Sequence, residues 1–188
     1  MTSFYTKEEL AQLGLKTYGQ NVSVSRNCRI YSPENVSLGD NVRIDDFCVL
    51  SGNITVGNFV HIATATLLFA GEYGIILEDF SGLSSRCAVY ALSDDYCGEG
   101  MTNPTVPDKF RKVYGGKVII GRHALIGSGS TVLPGIEIGE GSSVGAMALV
   151  TRNIAPWTVY IGSPASKLKD RNKKILELEK ELEKDLLS

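Results

Sequence analysis

An aliphatic residue returns at every sixth position between Val118 and Val150: Ile120, Ile126, Val132, Ile138, Val144 and Val150. Glycine follows four of the six, at Gly121, Gly127, Gly139 and Gly145. The same beat runs upstream through Leu38, Ile44, Leu50, Val56, Ile62 and Leu68, and resumes after a slip of three residues at Leu77, Leu83 and Val89. Val24 and Ile30 form an earlier, weaker pair. A helix repeats its buried face about every 3.6 residues and a strand about every second residue, so neither keeps a period of six. A chain wound as a triangular prism does. Each side is a short strand, each corner a tight turn, and three hexads close one coil with the leading aliphatic pointing inward. A second small residue four places on (Val42, Val60, Ala124, Ser130, Ala148) fills the narrow axis. Stacked coils pair in parallel, and each satisfies the backbone N–H and C=O groups of its neighbours.

The pattern predicts a mainly β chain of about five or six coils with helical ends. Residues 1–20 are expected to form a helical cap, because Thr6 and Glu9 have capping-box spacing and Gly14 ends the segment. Residues 21–164 form the prism, and residues 165–188 a C-terminal helix with Leu168, Ile175, Leu178 and Leu182 on one stripe, placed against the prism or a neighbouring subunit. Two stretches lose the beat: a short excursion at Phe69–Gly74 and a protruding loop over 90–117, which carries Pro104 and Pro107. A long unpatterned loop in a compact domain is commonly functional.

Charge narrows the classes. Lys+Arg 19 against Asp+Glu 21 gives a net charge of -2, so no basic field argues for nucleic acid. No apolar run nears the ~20 residues that span a bilayer, and the acidic N-terminus lacks the basic and apolar regions of a signal peptide. Cys28, Cys48, Cys87 and Cys97 are scattered without a CxxC pair, which reads as free thiols in a reducing cytoplasm and not as a zinc site.

The repeat together with the ending "GAMALVTRNIAPWTVYIGSPASKLK" (Gly145–Lys169) resembles the hexapeptide-repeat acyltransferases, whose fold is a left-handed parallel β-helix. Within that family the chain is similar to galactoside and maltose O-acetyltransferases and to enzymes that acetylate sugars of surface polysaccharides. The resemblance implies a homotrimer with active sites between subunits, acetyl-CoA as co-substrate, no metal, and a sugar or nucleotide-linked aminosugar as acceptor. The pantetheine arm is then expected against Ser128, Gly129, Gly145 and Ala146, with Thr151 bordering the adenine and Arg152, Lys167 and Lys169 available to CoA phosphates. Ser166 stands where the family often has a basic residue.

Acyl transfer from a thioester needs a base or an already nucleophilic amine, plus donors for the oxyanion. The family's O-acetyltransferases keep a catalytic histidine in the long loop. Counting seventeen residues on from Leu77 lands instead on Asp94. An aspartate with the ordinary pKa of about 4 is a weak base for a hydroxyl, so its presence tilts the reading towards N-acylation, in which the amine attacks unaided. His61, in "FVHI", resembles a histidine near the thioester in nucleotide-sugar N-acetyltransferases; either it or Asp94 is the catalytic candidate. Asp95, Glu72, Thr64 and Thr66 are candidates for the acceptor side, and His123 reads as an exposed turn residue. The alternatives are an O-acetyltransferase of a galactoside-like sugar, a carbonic anhydrase of the same fold, for which two unclustered histidines are too few, and a non-catalytic scaffold. The long loop and the late-coil ending speak against the scaffold.

Overall fold

The computed structural model describes residues 3–187 and shows a left-handed parallel β-helix with three faces. Hexad heads stack in three columns. On the first face Ile44 pairs with Ile62, then Leu83, Ile126 and Val144. On the second, Leu50, Leu68, Val89, Val132 and Val150 follow one another, and on the third Leu38, Val56, Leu77, Ile120 and Ile138. None of these side chains is more than 3% exposed. The glycine after a head has a steric reason in the late coils: a Cβ on Gly127 would lie 2.5 Å from the backbone nitrogen of Ala146 in the next coil. Real Cβ atoms do not come so close, so glycine permits the stacking distance.

The small residue four places after each first-face head does more than fill space. Cys48, Thr66, Cys87 and Ser130 occupy that place in successive coils, all fully buried. Each donates a hydrogen bond to the carbonyl of the residue just after the next head: Cys48 to Ala63 (3.2 Å), Thr66 to Ser84 (3.1 Å), Cys87 to Gly127 (3.3 Å) and Ser130 to Gly145 (2.9 Å). An inner column of small donors thus satisfies carbonyls at one corner, which a buried backbone requires. This is why Cys48 and Cys87 stand at equivalent places in different coils.

The corner between the third and first faces holds side chains in the left-handed backbone region: Phe59, Phe80, His123 and Trp157 all have φ of 57° or 58°. Phe59 stacks on Phe80 with ring centres 4.9 Å apart, and Phe80 on His123 at 5.0 Å. This aromatic ladder offsets the cost of a left-handed φ at residues with a Cβ.

Four expectations change. The excursion at Phe69–Gly74 is not a loop: the strand Leu67–Leu77 runs continuously from the second face to the third, beside Val49–Val56. Gly52, Gly71 and Gly74 take positive φ there and let both strands turn the corner. The long loop has a stem, because Leu92–Asp94 pairs antiparallel with Val113–Gly115. The C-terminal segment is not helical from residue 165. Ser166–Asp170 folds back antiparallel on Thr158–Ile161, covering the first face of the last coil, and the helix α2 spans only Ile175–Leu187. Pro164 breaks the chain before the strand, and the alternation in "SKLKD" suits a strand better than a helix. Leu168 therefore lies outside the helix, while Leu178 and Leu182 face outward, 51% and 36% exposed.

His123, finally, is not an exposed turn residue. It is 9% exposed because α2 covers it: its Nε2 lies 2.8 Å from Glu179 Oε2, and Arg122 bridges Glu179 to Asp79. Arg171 adds hydrogen bonds to the carbonyls of His123, Gly141 and Ser142. At the other end the short helix α1 (Lys7–Ala11) carries its capping box, with Thr6 and Glu9 reciprocally bonded, and buries Leu10 over the first coil.

Candidate active site

Two concavities flank one corner of the prism. The larger, about 1160 Å³, lies between the second face and the long loop, walled by Phe69, Tyr90, Leu133, Tyr96 and Tyr114, with Asp94 and Arg111 as its charged groups. Phe69 and Tyr90 are stacked at 5.4 Å. Asp94 ends the first strand of the loop's stem, which aims it into the cavity. Its Oδ1 accepts from Arg111 Nη2 at 3.3 Å and its Oδ2 from the backbone N–H of Asn103 at 3.2 Å. Asp95 faces the opposite way and is 7% exposed. It accepts N–H bonds from Cys97 (2.8 Å), Glu99 (2.5 Å) and Gly100 (2.9 Å). Those bonds, led by Cys97, hold its carboxyl below the usual carboxylate range. Asp95 thus organises the loop, and its neighbour faces the ligand space.

The smaller concavity, about 250 Å³, lies on the first face and is lined by His61, Ala63, Ser84, Ser85, Leu125 and Ser128. The His61 ring is half exposed, with Nε2 2.8 Å from Asp45 Oδ2, while Asp45 also accepts from Arg43 Nε at 2.7 Å. Burial pushes the Asp45 carboxyl up, but hydrogen bonds from His61 and Arg43 outweigh it and leave it below its ordinary value. The carboxylate fixes the imidazole with Nε2 towards Asp45 and draws it towards the prism.

The candidates from the sequence divide between these places. Asp94 and Thr151 line the large cavity, so Thr151 stands near the loop and not beside Ser128; His61 and Ser128 share the small one. Thr66 lines neither: it is wholly buried beneath Ser84, whose carbonyl it holds. Thr64 and Glu72 are exposed and lie outside both linings. Gly129, with φ 72°, lies under the Met147 sulfur, and a Cβ on Gly145 would strike Ile161 at 2.8 Å. Both glycines, with the exposed Ala146, belong to the late-coil corner between the concavities. Arg152, Lys167 and Lys169 are exposed beyond it, Lys167 paired with Asp170 at 2.6 Å. No group of three side chains suited to a metal ion occurs among the described residues.

Two residues escaped the sequence reading. Ser84 follows the head Leu83 where late coils have glycine, and that substitution of a hydroxyl for a bare backbone was the available signal. Arg111 meets Asp94 across 17 residues of unpatterned loop, a pairing that no periodicity announces.

Residues 117–152 match the bacterial transferase hexapeptide family (six repeats). A dTDP-4-amino-4,6-dideoxy-D-glucose acyltransferase of Escherichia coli is 39% identical over 174 residues, covering 91% of this chain and 90% of its own. The "Putative lipopolysaccharide biosynthesis O-acetyl transferase WbbJ" of Escherichia coli K12 is 30% identical over 78% of this chain and 81% of its own. Among solved structures, the S84C mutant of AntD, an N-acyltransferase from Bacillus cereus, is 46% identical, with a TM-score of 0.97 over 98% of this chain and 99% of its own, in a complex with dTDP-4-amino-4,6-dideoxyglucose and coenzyme A. Another AntD structure, with dTDP and 3-hydroxybutyryl-CoA, has a TM-score of 0.98 and covers both chains fully. AntD has also been solved with its serine 84 and its aspartate 94 replaced.

Proposed function

This chain belongs to the hexapeptide-repeat acyltransferases, and from that premise we propose that it transfers an acyl group from coenzyme A to the amine of a nucleotide-linked aminosugar. The reading that fits best is a dTDP-linked 4-amino-4,6-dideoxyhexose as acceptor, within surface polysaccharide synthesis. The observation that carries it is an aspartate in place of a loop histidine, aimed into an aromatic-walled cavity beside a second, hydroxyl-lined one. A carboxylate is well matched to an amine, whose N–H groups it accepts, and poorly matched to the deprotonation of a sugar hydroxyl. The AntD complexes support the same acceptor class, and AntD's replaced positions carry the same residue types and numbers as Ser84 and Asp94 here.

The chemistry then runs as follows. The acceptor amine, oriented by Asp94, attacks the thioester carbonyl carbon; an N–C bond forms and the carbonyl oxygen becomes an oxyanion. The Ser84 hydroxyl, whose backbone Thr66 holds in place, is the donor that follows this growing charge. Collapse breaks the C–S bond, the thiolate leaves as coenzyme A, and the surplus ammonium proton passes to the thiolate through solvent. His61 stands at the edge of the small cavity, oriented by Asp45, as a contact of the pantetheine arm. Ser128, Gly129, Gly145 and Ala146 border that arm along the late-coil corner. Arg152, Lys167 and Lys169 meet the CoA phosphates, while Thr151 shifts to the acceptor cavity. We assign Asp95 to loop architecture and leave Thr64 and Glu72 outside the site.

The acyl group is acetyl or a short hydroxyacyl chain, in keeping with the small first-face cavity. A compartment that holds both coenzyme A and nucleotide sugars, the cytoplasm, also suits unpaired thiols; among the described residues no helix is long and apolar enough to cross a membrane. A free-thiol assay with acetyl-CoA and 3-hydroxybutyryl-CoA, run against dTDP-4-amino-4,6-dideoxyglucose and simple galactosides, tests the reading. Turnover is expected only with the aminosugar. Turnover with a galactoside alone would replace N-acylation by O-acylation. Asp94→Asn should lower acceptor turnover about 10- to 100-fold, the loss of one charge-assisted hydrogen bond, and leave CoA binding unchanged.

A further inference from the structure

Asp94 is useful only if its carboxylate is held still in the mouth of a wide cavity. Two groups hold it, and one is a side chain. The Arg111 guanidinium reaches Asp94 Oδ1 with Nη2 at 3.3 Å, and Asp108 Oδ1 with Nη1 at 3.1 Å from the other side. Arg111 is 18% exposed and lines the same cavity, whereas Asp108 is 96% exposed and outside it. The Nε–H of Arg111 is buried and has no hydrogen-bond partner among the described residues. A buried, unsatisfied guanidinium N–H is costly, and a residue kept only to staple the loop would be expected to use it. Stapling is already supplied by Asp95, by the pairing of Leu92–Asp94 with Val113–Gly115, and by the Lys112–Glu99 ion pair.

We infer that Arg111 is a positioning residue of the transfer reaction: it turns and fixes the Asp94 carboxylate towards the acceptor's amine. The inference rests on the proposed acceptor and on Asp94 as the group that meets it. A guanidinium suits the task because its planar fork fixes direction as well as charge, which an ammonium does not.

A double-mutant cycle tests it, with dTDP-4-amino-4,6-dideoxyglucose as acceptor and acetyl-CoA or 3-hydroxybutyryl-CoA as donor. Arg111→Met is expected to lower kcat/KM for the acceptor about 10- to 100-fold while the Kd for CoA stays put, and Arg111→Lys to restore part of the loss. In the Asp94→Asn background the same Met substitution should cost less than about threefold, because residues acting as a unit are not additive. Asp108→Ala, which frees only the outer side of the guanidinium, should remain within about twofold of wild type. Losses that add fully across the two backgrounds, or an Arg111→Met enzyme as active as wild type, overturn the inference. So does Lys behaving no better than Met together with a lowered Tm, which marks a fold defect. A wild-type chain that acylates no aminosugar ends the functional reading and this inference with it; an active wild type with additive losses ends the inference alone.

Discussion

A single buried hydroxyl shows how the prism's inner column serves the site. Thr66 is wholly buried and donates to the carbonyl of Ser84, so the residue bearing the proposed oxyanion donor is held from inside. Thr66→Val keeps the shape and removes the donor, leaving that carbonyl without its partner. The expected cost is about 1–3 kcal/mol, read as a lower Tm; an unchanged Tm would mean that the carbonyl finds another donor. The cysteines in the same column behave alike. Burial pushes Cys28 up to about 12 and Cys48 up to about 11, and raises Cys87 as well. A thiol reacts as its thiolate, so these three should be inert in the native protein. Labelling with a thiol reagent is expected to modify only the exposed Cys97 quickly and the rest after denaturation. Rapid native-state labelling of Cys48 or Cys87 would mean that the coils open readily.

At the scale of elements, α2 is anchored to the prism by charge. Glu179 lies between Arg122 and His123, and the imidazole rests on Phe80. Burial holds His123 below the usual histidine value, and the neighbouring Arg122 and Arg171 act in the same direction, against Glu140 and Asp79. The unfolded chain, with the ordinary histidine value, therefore binds more protons than the native chain. Stability from this group is fully present above a pH of about 6.5 and is lost as pH falls below it. His123→Phe preserves the ladder and should flatten that part of the Tm–pH curve; a curve that keeps its slope would move the effect to another group. The elements also mark where sequence reading stops. The columns of Ile, Leu and Val were legible because one geometric rule fixes every sixth residue. The place of Asp94 in the loop cavity was legible by counting along the repeat. His123 was misread because its cover, α2, lies 56 residues on, and Arg111 because loop contacts obey no period. The strand Ser166–Asp170 was lost in the charge run that follows it, where the same lysines suit either state.

The whole molecule is where the two concavities must meet. In one chain the hydroxyl-lined cavity and the Asp94 cavity open on different faces, separated by a corner that exposes Phe47 (64%) and Met147 (71%), with Leu125 (44%) on the first face beside it. A thioester in one cavity and an amine in the other can react only if they come within bonding distance. We propose that three prisms about a common axis achieve this, each laying its first face against the second face of the next. Every concavity then becomes half of a site, and the exposed apolar corner is covered. Light scattering should therefore give three times the 20.3 kDa of one chain. Met147→Glu, a charge placed at that corner, should shift the mass towards one chain, and activity should fall with the trimer fraction. Mixing Ser84→Ala with Asp94→Asn chains gives the sharper result. If each site draws Ser84 from one chain and Asp94 from the next, mixed trimers contain some sites with both residues intact, and activity should rise above that of either variant alone. Activity that stays at the average of the two variants would instead put both residues of each site in one chain.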